Sequence, residues 1–341
     1  MKITTVGLDL AKNVFHVVGL NQANKMQLKK RLTRSKLLAF FAQLEPCLVA
    51  MEACRSAHYW GREIQGLGHK VCLIPPRDVK PYLQGNKNDY NDALAIAEAS
   101  HRPKIRFVSI KTTEQQDVQA LHRLKHGVTK QRTELCNRLR GLLEEYGIII
   151  PKGVTKLRCR LPEILKDSEN GLSHPFRALL NQGYRQLQEL DSHIKAYEQQ
   201  LLVQVKEDEA AQRLMSIPGF GPVVSSVFIS VVGDGKAYRR GRDVAANVGL
   251  VPRQHSSGDK PVLLGISKRG NCYLRGLLIH GARSVVKVAP EKDDSLSRWV
   301  MQLVRRRGKN KATVALANKL ARIGWAVLTS GGVYESRKLA V

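Results

Sequence analysis

The stretch Val6-Gly-Leu-Asp-Leu-Ala-Lys-Asn-Val-Phe15 decides how the N-terminal region is read. Ile3, Thr5 and Gly7 alternate with apolar and β-branched neighbours, which is the period of a strand, and Val14 to Leu20 reads as its hairpin partner. This strand carries a single acidic residue, Asp9. An unpaired buried charge costs several kcal/mol. Asp9 is therefore either an ordinary turn aspartate at a strand end, or it is partnered, protonated or bound to a cation.

The residues that follow extend the same pattern. A third strand is expected around Met26 to Leu32, then a helix starting near the cap candidate Ser35. Cys47-Leu-Val-Ala-Met51 is a continuous apolar run of the kind found in strands buried on both faces, and it ends on Glu52. A helical stretch from Tyr59 to Leu67 and a strand from Val71 to Ile74 come next, closed by Pro75 and Pro76. Asn88 to Ala99 reads as a helix with Asp89 and Asp92 at i and i+3, so the two carboxylates share a face. Two acids in a first turn also suit the helix macrodipole, and by themselves mark no more than a well-capped helix start. Together with Asp9 and Glu52 at strand ends, where sites collect in open α/β sheets, they form a better-constrained set.

Beyond this α/β region, expected over residues 1–110, the character changes. From Thr112 to Tyr146, apolar residues at Val118, Leu121, Leu124, Val128, Leu135, Leu139, Leu142 and Leu143 follow helical spacing. A second long helical pattern runs from Pro175 to Lys206, with Leu179, Leu180, Leu187, Leu190, Ile194, Tyr197, Leu201 and Leu202 on one side. The two stripes read as a coiled-coil-like spacer over 111–207 that packs against itself or another subunit, with Arg123, Lys125, Lys130, Arg132, Arg138 and Arg140 on outer faces able to follow phosphates. Residues 208–341 read as a mainly helical domain. Within it, Ile217-Pro-Gly-Phe-Gly-Pro222 suggests a helix-hairpin-helix turn whose Gly219 and Gly221 backbone N–H groups suit a phosphate. A polar loop then carries Arg253, His255, Ser256, Ser257, Gly258 and Lys260, and Lys268 and Arg269 follow it. Cations placed there can hold a phosphate next to a hydroxyl.

Composition bounds the partner. The chain holds 56 Lys and Arg against 29 Asp and Glu, a formal net charge of +27, which points to nucleic acid. An anionic membrane is disfavoured because the basic charge is spread along the chain instead of gathered in one amphipathic segment. The longest apolar runs, such as Val223 to Val232, are too short to span a bilayer, and no secretory signal opens the chain. A cytoplasmic, nucleoid-associated protein is expected. The 6 cysteines lack metal-ligand or disulfide spacing.

Several motifs taken jointly resemble the insertion-sequence 110 family of transposases, in particular its 1111 subgroup. They are Gly7-Leu-Asp-Leu-Ala-Lys12, Met51-Glu52, Asn88-Asp-Tyr-Asn-Asp-Ala93, Ile217-Pro-Gly-Phe-Gly-Pro222, Gly249-Leu-Val-Pro-Arg-Gln-His-Ser-Ser-Gly258 and Gly265-Ile-Ser-Lys-Arg-Gly-Asn271. The resemblance covers nearly the whole chain. It implies an N-terminal RuvC-like domain of the RNase H fold with a DEDD set, which falls on Asp9, Glu52, Asp89 and Asp92. It also implies a C-terminal transposase domain with a nucleophilic serine, which falls on Ser257, with Ser256 as the alternative register. The implied cofactor is Mg²⁺ or Mn²⁺. The implied partners are donor and target DNA, a structured guide (bridge) RNA, and further copies of the chain in a dimer or tetramer.

The same acidic set also suits a junction-resolving nuclease that hydrolyses DNA with no covalent intermediate. A non-catalytic nucleic-acid scaffold, with structural acids, is a third reading. Tyr238 and Tyr273 lie near basic residues but have no surrounding constellation for tyrosine chemistry.

Overall fold

The computed structural model describes residues 2–86, 88–258 and 261–336. They divide into two compact units, Met1–Gln115 and Gln116–Val341. In the first, β1 (Thr5–Asp9), β2 (Val14–Leu20) and β3 (Met26–Thr33) form an antiparallel meander. Parallel strands β4 (Leu48–Glu52) and β5 (Lys70–Ile74) extend it on the β1 side, giving the order β3-β2-β1-β4-β5. Around the sheet are α1 (Leu37–Ala42), α2 (Ala57–Gly66), α3 (Pro76–Val79) and α4 (Asp89–Ala99). The parallel pair β4 and β5 is joined through α2, the crossover that parallel strands need.

Strand alternation sorts the side chains onto two faces. Val6, Leu8, Val49, Met51 and Leu73 enter one core with Phe41, Trp60 and Ile64. The intervening positions face α4: Ala50, Cys72 and Ile74 pack with Ala95, Ile96 and Ala99, while Val18 and Leu20 pack with Ala93 and Ala97. Helix and sheet come closest at Gly7, where a Cβ would stand 1.9 Å from the Ala93 carbonyl oxygen and 2.9 Å from the Ala97 Cβ. Hydrogen is the only side chain that fits. Asn88 caps α4, its side chain accepting from the Tyr90 N–H at 3.0 Å.

The second unit takes in most of α5 (Thr113–Glu144), then α6 (Val154–Lys166), α7 (His174–Glu207), α8 (Glu209–Met215), α9 (Pro222–Val232) and α10 (Gly241–Asn247). A hairpin of β6 (Pro252–Gln254) and β7 (Leu263–Ile266) follows, then α11 (Cys272–Val288), α12 (Ser295–Arg307) and α13 (Lys309–Ser330). The largest core gathers α8 to α13 around Phe228, Leu274, Leu316 and Leu320.

Three expectations change here. The long helices are not a bare two-helix spacer, because α6 inserts Leu157, Leu161 and Ile164 into a core with Leu135, Leu139 and Leu143 of α5 and Leu180 and Leu187 of α7. Leu124, Leu142, Leu179 and Leu202, counted in the apolar stripes, are exposed. For the last three, an adjacent leucine takes the inward direction, and residues next to each other on a helix point about 100° apart. The outer cations are partly spent: Lys125 pairs with Glu198 at 3.0 Å, Lys130 with Glu134 at 3.6 Å and Arg132 with Asp191 at 3.0 Å. No helix among the described residues is long and apolar enough to cross a membrane.

The contact at Gly7 gives a stability prediction. Gly7→Ala forces α4 off the sheet and is expected to cost about 2–3 kcal/mol, the range of an overpacked core. Gly66→Ala, at a position with nothing within 4 Å of the new Cβ, is expected to be neutral or stabilising by up to about 1 kcal/mol. Urea unfolding of the two variants against the parent measures both.

Candidate active site

The sheet and α4 bring the four predicted carboxylates to one place. Asp9 ends β1 and Glu52 ends β4, one residue beyond the paired Leu8 and Met51 of these parallel neighbours. Both have the parity of Gly7 and Ala50 and so belong to the α4 face. Asp89 and Asp92 lie in the first turn of α4, over the same end of the sheet. Asp9, Glu52 and Asp92 are half-buried, while the Asp89 carboxylate is more open to solvent.

The electrostatics are unusual for so basic a chain. Asp9 is pushed up to about 6, first by burial and then by the charges of Asp92, Asp89 and Glu52; a backbone hydrogen bond from Leu10 lowers it. Glu52 is also raised, by burial and by Asp92. Among the described residues no lysine or arginine pairs with any of the four. Like charges this close disfavour one another's ionisation, and desolvation adds to the cost. A divalent cation removes both penalties, and hard carboxylate oxygens are its natural ligands. The donor set therefore fits such an ion.

A residue that the sequence reading passed over completes the cluster. His16 on β2 is paired directly across from Asp9. Oxygens of Asp9 and Asp89 and a ring nitrogen of His16 all lie within 4.8 Å of one another. The available signal was the strand pattern of Val14 to Leu20, but the register that sets His16 opposite Asp9 comes from the turn, not from the composition of either strand.

The described part of the predicted serine loop belongs to the β6–β7 hairpin. Ser256 and Ser257 sit between β6 and β7, with His255 N–H donating to the Val262 carbonyl at 3.0 Å. The Ser256 hydroxyl is engaged locally, accepting from Val262 N–H at 3.1 Å and from Gln254 Nε2 at 3.0 Å. Ser257 is exposed, and among the described residues no side-chain hydrogen bond holds its hydroxyl. Below the tip, the base is fastened. Ser267 N–H donates to Val251, Lys268 N–H to Gly249, Asn318 Nδ2 to Leu250, and Arg275 Nη1 to Val248 and Arg269. Gly270 runs against this base so closely that a Cβ would stand 1.7 Å from the Asn247 carbonyl oxygen.

Arg253, Lys268 and Arg269 are exposed around the hairpin, whereas the predicted Lys260 lies outside the described residues. Gly219 and Gly221 occupy the turn between α8 and α9 as expected. Gly219 is used for packing, since its Cβ would meet the Gly281 carbonyl oxygen of α11 at 2.8 Å. Gly221 precedes Pro222 at the start of α9 and has open space around it.

The raised Asp9 carboxyl sets a pH dependence. Its folded pKa of about 6 exceeds the ordinary 3.8, so the stability it contributes is full below the ordinary value and is lost as pH rises through the folded one. In chelator-treated protein, Asp9→Asn is expected to gain stability relative to the parent between about pH 4 and 7, as measured by urea midpoints across that range.

Comparison with known proteins matches both regions of the chain to transposases. Residues 6–148 match the family model of DEDD transposases of the IS110 type, described as "Transposase", and residues 211–296 match "Transposase IS116/IS110/IS902 family". A "Probable family 20 transposase" of Pseudomonas aeruginosa is 46% identical over 98% of this chain and 99% of its own. The "Transposase for insertion sequence element IS1111A" of Coxiella burnetii is 46% identical over 98% of this chain and 92% of its own. The "Transposase for insertion sequence element IS1328" of Yersinia enterocolitica is 40% identical over 98% and 99%. The carboxylate cluster falls inside the matched DEDD region and the serine hairpin inside the second match, and the chain belongs to the IS116/IS110/IS902 family of transposases.

Proposed function

We propose that this transposase cuts and rejoins DNA by transesterification at Ser257, with Asp9, Glu52, Asp89 and Asp92 holding Mg²⁺. The observation that carries the proposal is the convergence of four carboxylates from two strands and a helix with no lysine or arginine partner among the described residues. The strand order β3-β2-β1-β4-β5 supports reading the first unit as RNase H-like.

When bound, the cation supplies positive charge for the non-bridging oxygens of the scissile phosphate. The chain's own residues do the rest. Ser257 presents a hydroxyl on an exposed tip whose base is fastened, so the nucleophile is offered without loosening the fold. Arg253, Lys268 and Arg269 are placed to hold phosphate oxygens. Attack forms an Oγ–P bond and breaks the bond from phosphorus to a sugar oxygen, which leaves with the proton that Ser257 gives up. Attack of another DNA end's hydroxyl reverses these bonds, restores the serine and needs no ATP. Ser257 serves this role better than Ser256, whose oxygen is occupied by Val262 and Gln254.

Guidance by a structured RNA, and assembly as a dimer or tetramer, rest on the family resemblance. The charge of +27 supports the first, because two kinds of nucleic-acid backbone then require neutralisation.

Trapping the covalent intermediate tests the chemistry. A denaturation-resistant protein–DNA adduct is expected with the parent and with Ser256→Ala, and is expected to vanish in Ser257→Ala. DNA cleavage under turnover with no adduct marks a hydrolytic nuclease instead. Sequencing of RNA that copurifies with the chain tests guidance: one discrete structured species is expected, and heterogeneous RNA alone contradicts it.

A further inference from the structure

His16 is held in place for a reason that the four carboxylates do not supply. It follows the α4-face parity of Val18 and Leu20, lies opposite Asp9 in the β1–β2 pairing, and rests edge-on against Tyr90, with ring centroids 4.7 Å apart and planes at 76°. Tyr90 is covered in turn by Lys29 of β3, whose Nζ is 4.4 Å from the ring centroid. The imidazole therefore has a fixed orientation, with 12% of its side-chain surface exposed.

Its Nδ1 is buried and has no hydrogen-bond partner among the described residues, although Asp89 Oδ2 is only 3.4 Å away. That separation is longer than the roughly 2.7–2.9 Å of a charge-assisted N–H···O bond, and its alignment makes no hydrogen bond. It is close to what two ligands at a right angle on one ion require. With bonds of about 2.0–2.3 Å, such donors stand roughly 3 Å apart. The third donor of the group, an Asp9 oxygen, lies within 4.8 Å of both, which leaves room for an ion among the three. A buried polar atom left without a partner is destabilising, and a metal bond removes that cost.

We infer that His16 Nδ1 is a nitrogen ligand of the divalent cation held by Asp9 and Asp89. This rests on the reading that the carboxylates bind such an ion. The inference makes this part of the site a mixed nitrogen and oxygen donor set. Imidazole is a poorer ligand than oxygen for Mg²⁺ and a better one for transition ions. The site therefore favours Mn²⁺ over Mg²⁺ to a degree that an all-oxygen set does not.

Pulsed electron paramagnetic resonance on the untagged full chain loaded with Mn²⁺ alone reads this directly, because a coordinated ¹⁴N nucleus modulates the electron spin echo. Nitrogen modulation is expected in the parent and is expected to change to the ¹⁵N pattern when the chain is made with ¹⁵N-histidine. It is expected to disappear in His16→Gln, with a Mn²⁺ affinity loss on the order of tenfold or more by calorimetry and a smaller loss for Mg²⁺. The histidine labelling needs no variant, so it holds even if His16→Gln fails to fold.

Mn²⁺ binding that depends on Asp9, shown by its loss in Asp9→Asn, but without nitrogen modulation overturns the role of His16 and leaves the carboxylate site standing. Modulation that persists in folded His16→Gln also overturns it. Absence of Mn²⁺ binding to the parent, or binding indifferent to Asp9→Asn, removes the carboxylate reading and the His16 inference together.

Discussion

Between β1 and α4 there is room for a hydrogen atom and nothing more. The Ala93 carbonyl presses on Gly7, and the small side chains of Ala93, Ala95, Ala97 and Ala99 let the helix lie close across the sheet. This approach brings the first turn of α4 over the end of β1. Carboxylates on a helix and on two strands have no covalent reason to meet. The close packing of backbone on backbone gathers them, at the cost of burial and, after it, mutual repulsion, which together hold the Asp9 carboxyl above its ordinary range. A core that tolerates no extra methyl group thus acts as the rigid frame for a site that destabilises its own scaffold.

The second unit solves a different problem. On the proposed reading Ser257 is a nucleophile that must reach a large polyanion; such a group is best exposed, yet an exposed loop is costly to position. Here the tip carrying Ser257 is open, while the segments at its base are tied to α10, α11 and α13 by hydrogen bonds to main-chain carbonyls and by the close passage of Gly270. Gly219 against Gly281 brings the α8–α9 turn against α11 in the same manner. In both units, glycines at points of contact let main chain pass main chain, and the carboxylate cluster and the serine hairpin stand at the ends of what those contacts fix.

Much of the first unit was legible from the sequence. Its strands are buried and alternate, so period and position located β1 to β5, and strand-end and helix-start logic singled out Asp9, Glu52, Asp89 and Asp92. Assigning them a joint role drew on family resemblance as well, since spacing alone left an ordinary turn residue and a capped helix open. His16 was illegible because register belongs to the turn. The sequence of β6 and β7 reads as a loop because its residues are almost all exposed and carry no burial alternation. Helix α6 contains Pro162, which argues locally against a helix; the tertiary packing of Leu157, Leu161 and Ile164 overrides it. Paired leucines such as Leu142 and Leu143 misled for a simpler reason, since a stripe does not say which of two neighbours turns inward.

The uncompensated carboxylates have a consequence for order. A chain of this net charge attracts a phosphodiester, but four acidic side chains converge at Asp9, Glu52, Asp89 and Asp92. On the proposed reading, a DNA strand drawn toward the basic chain meets like charge at these carboxylates until a cation neutralises them. The carboxylates would then work as an interlock, with nucleic acid captured by the basic residues and admitted to the acidic cluster only after the ion.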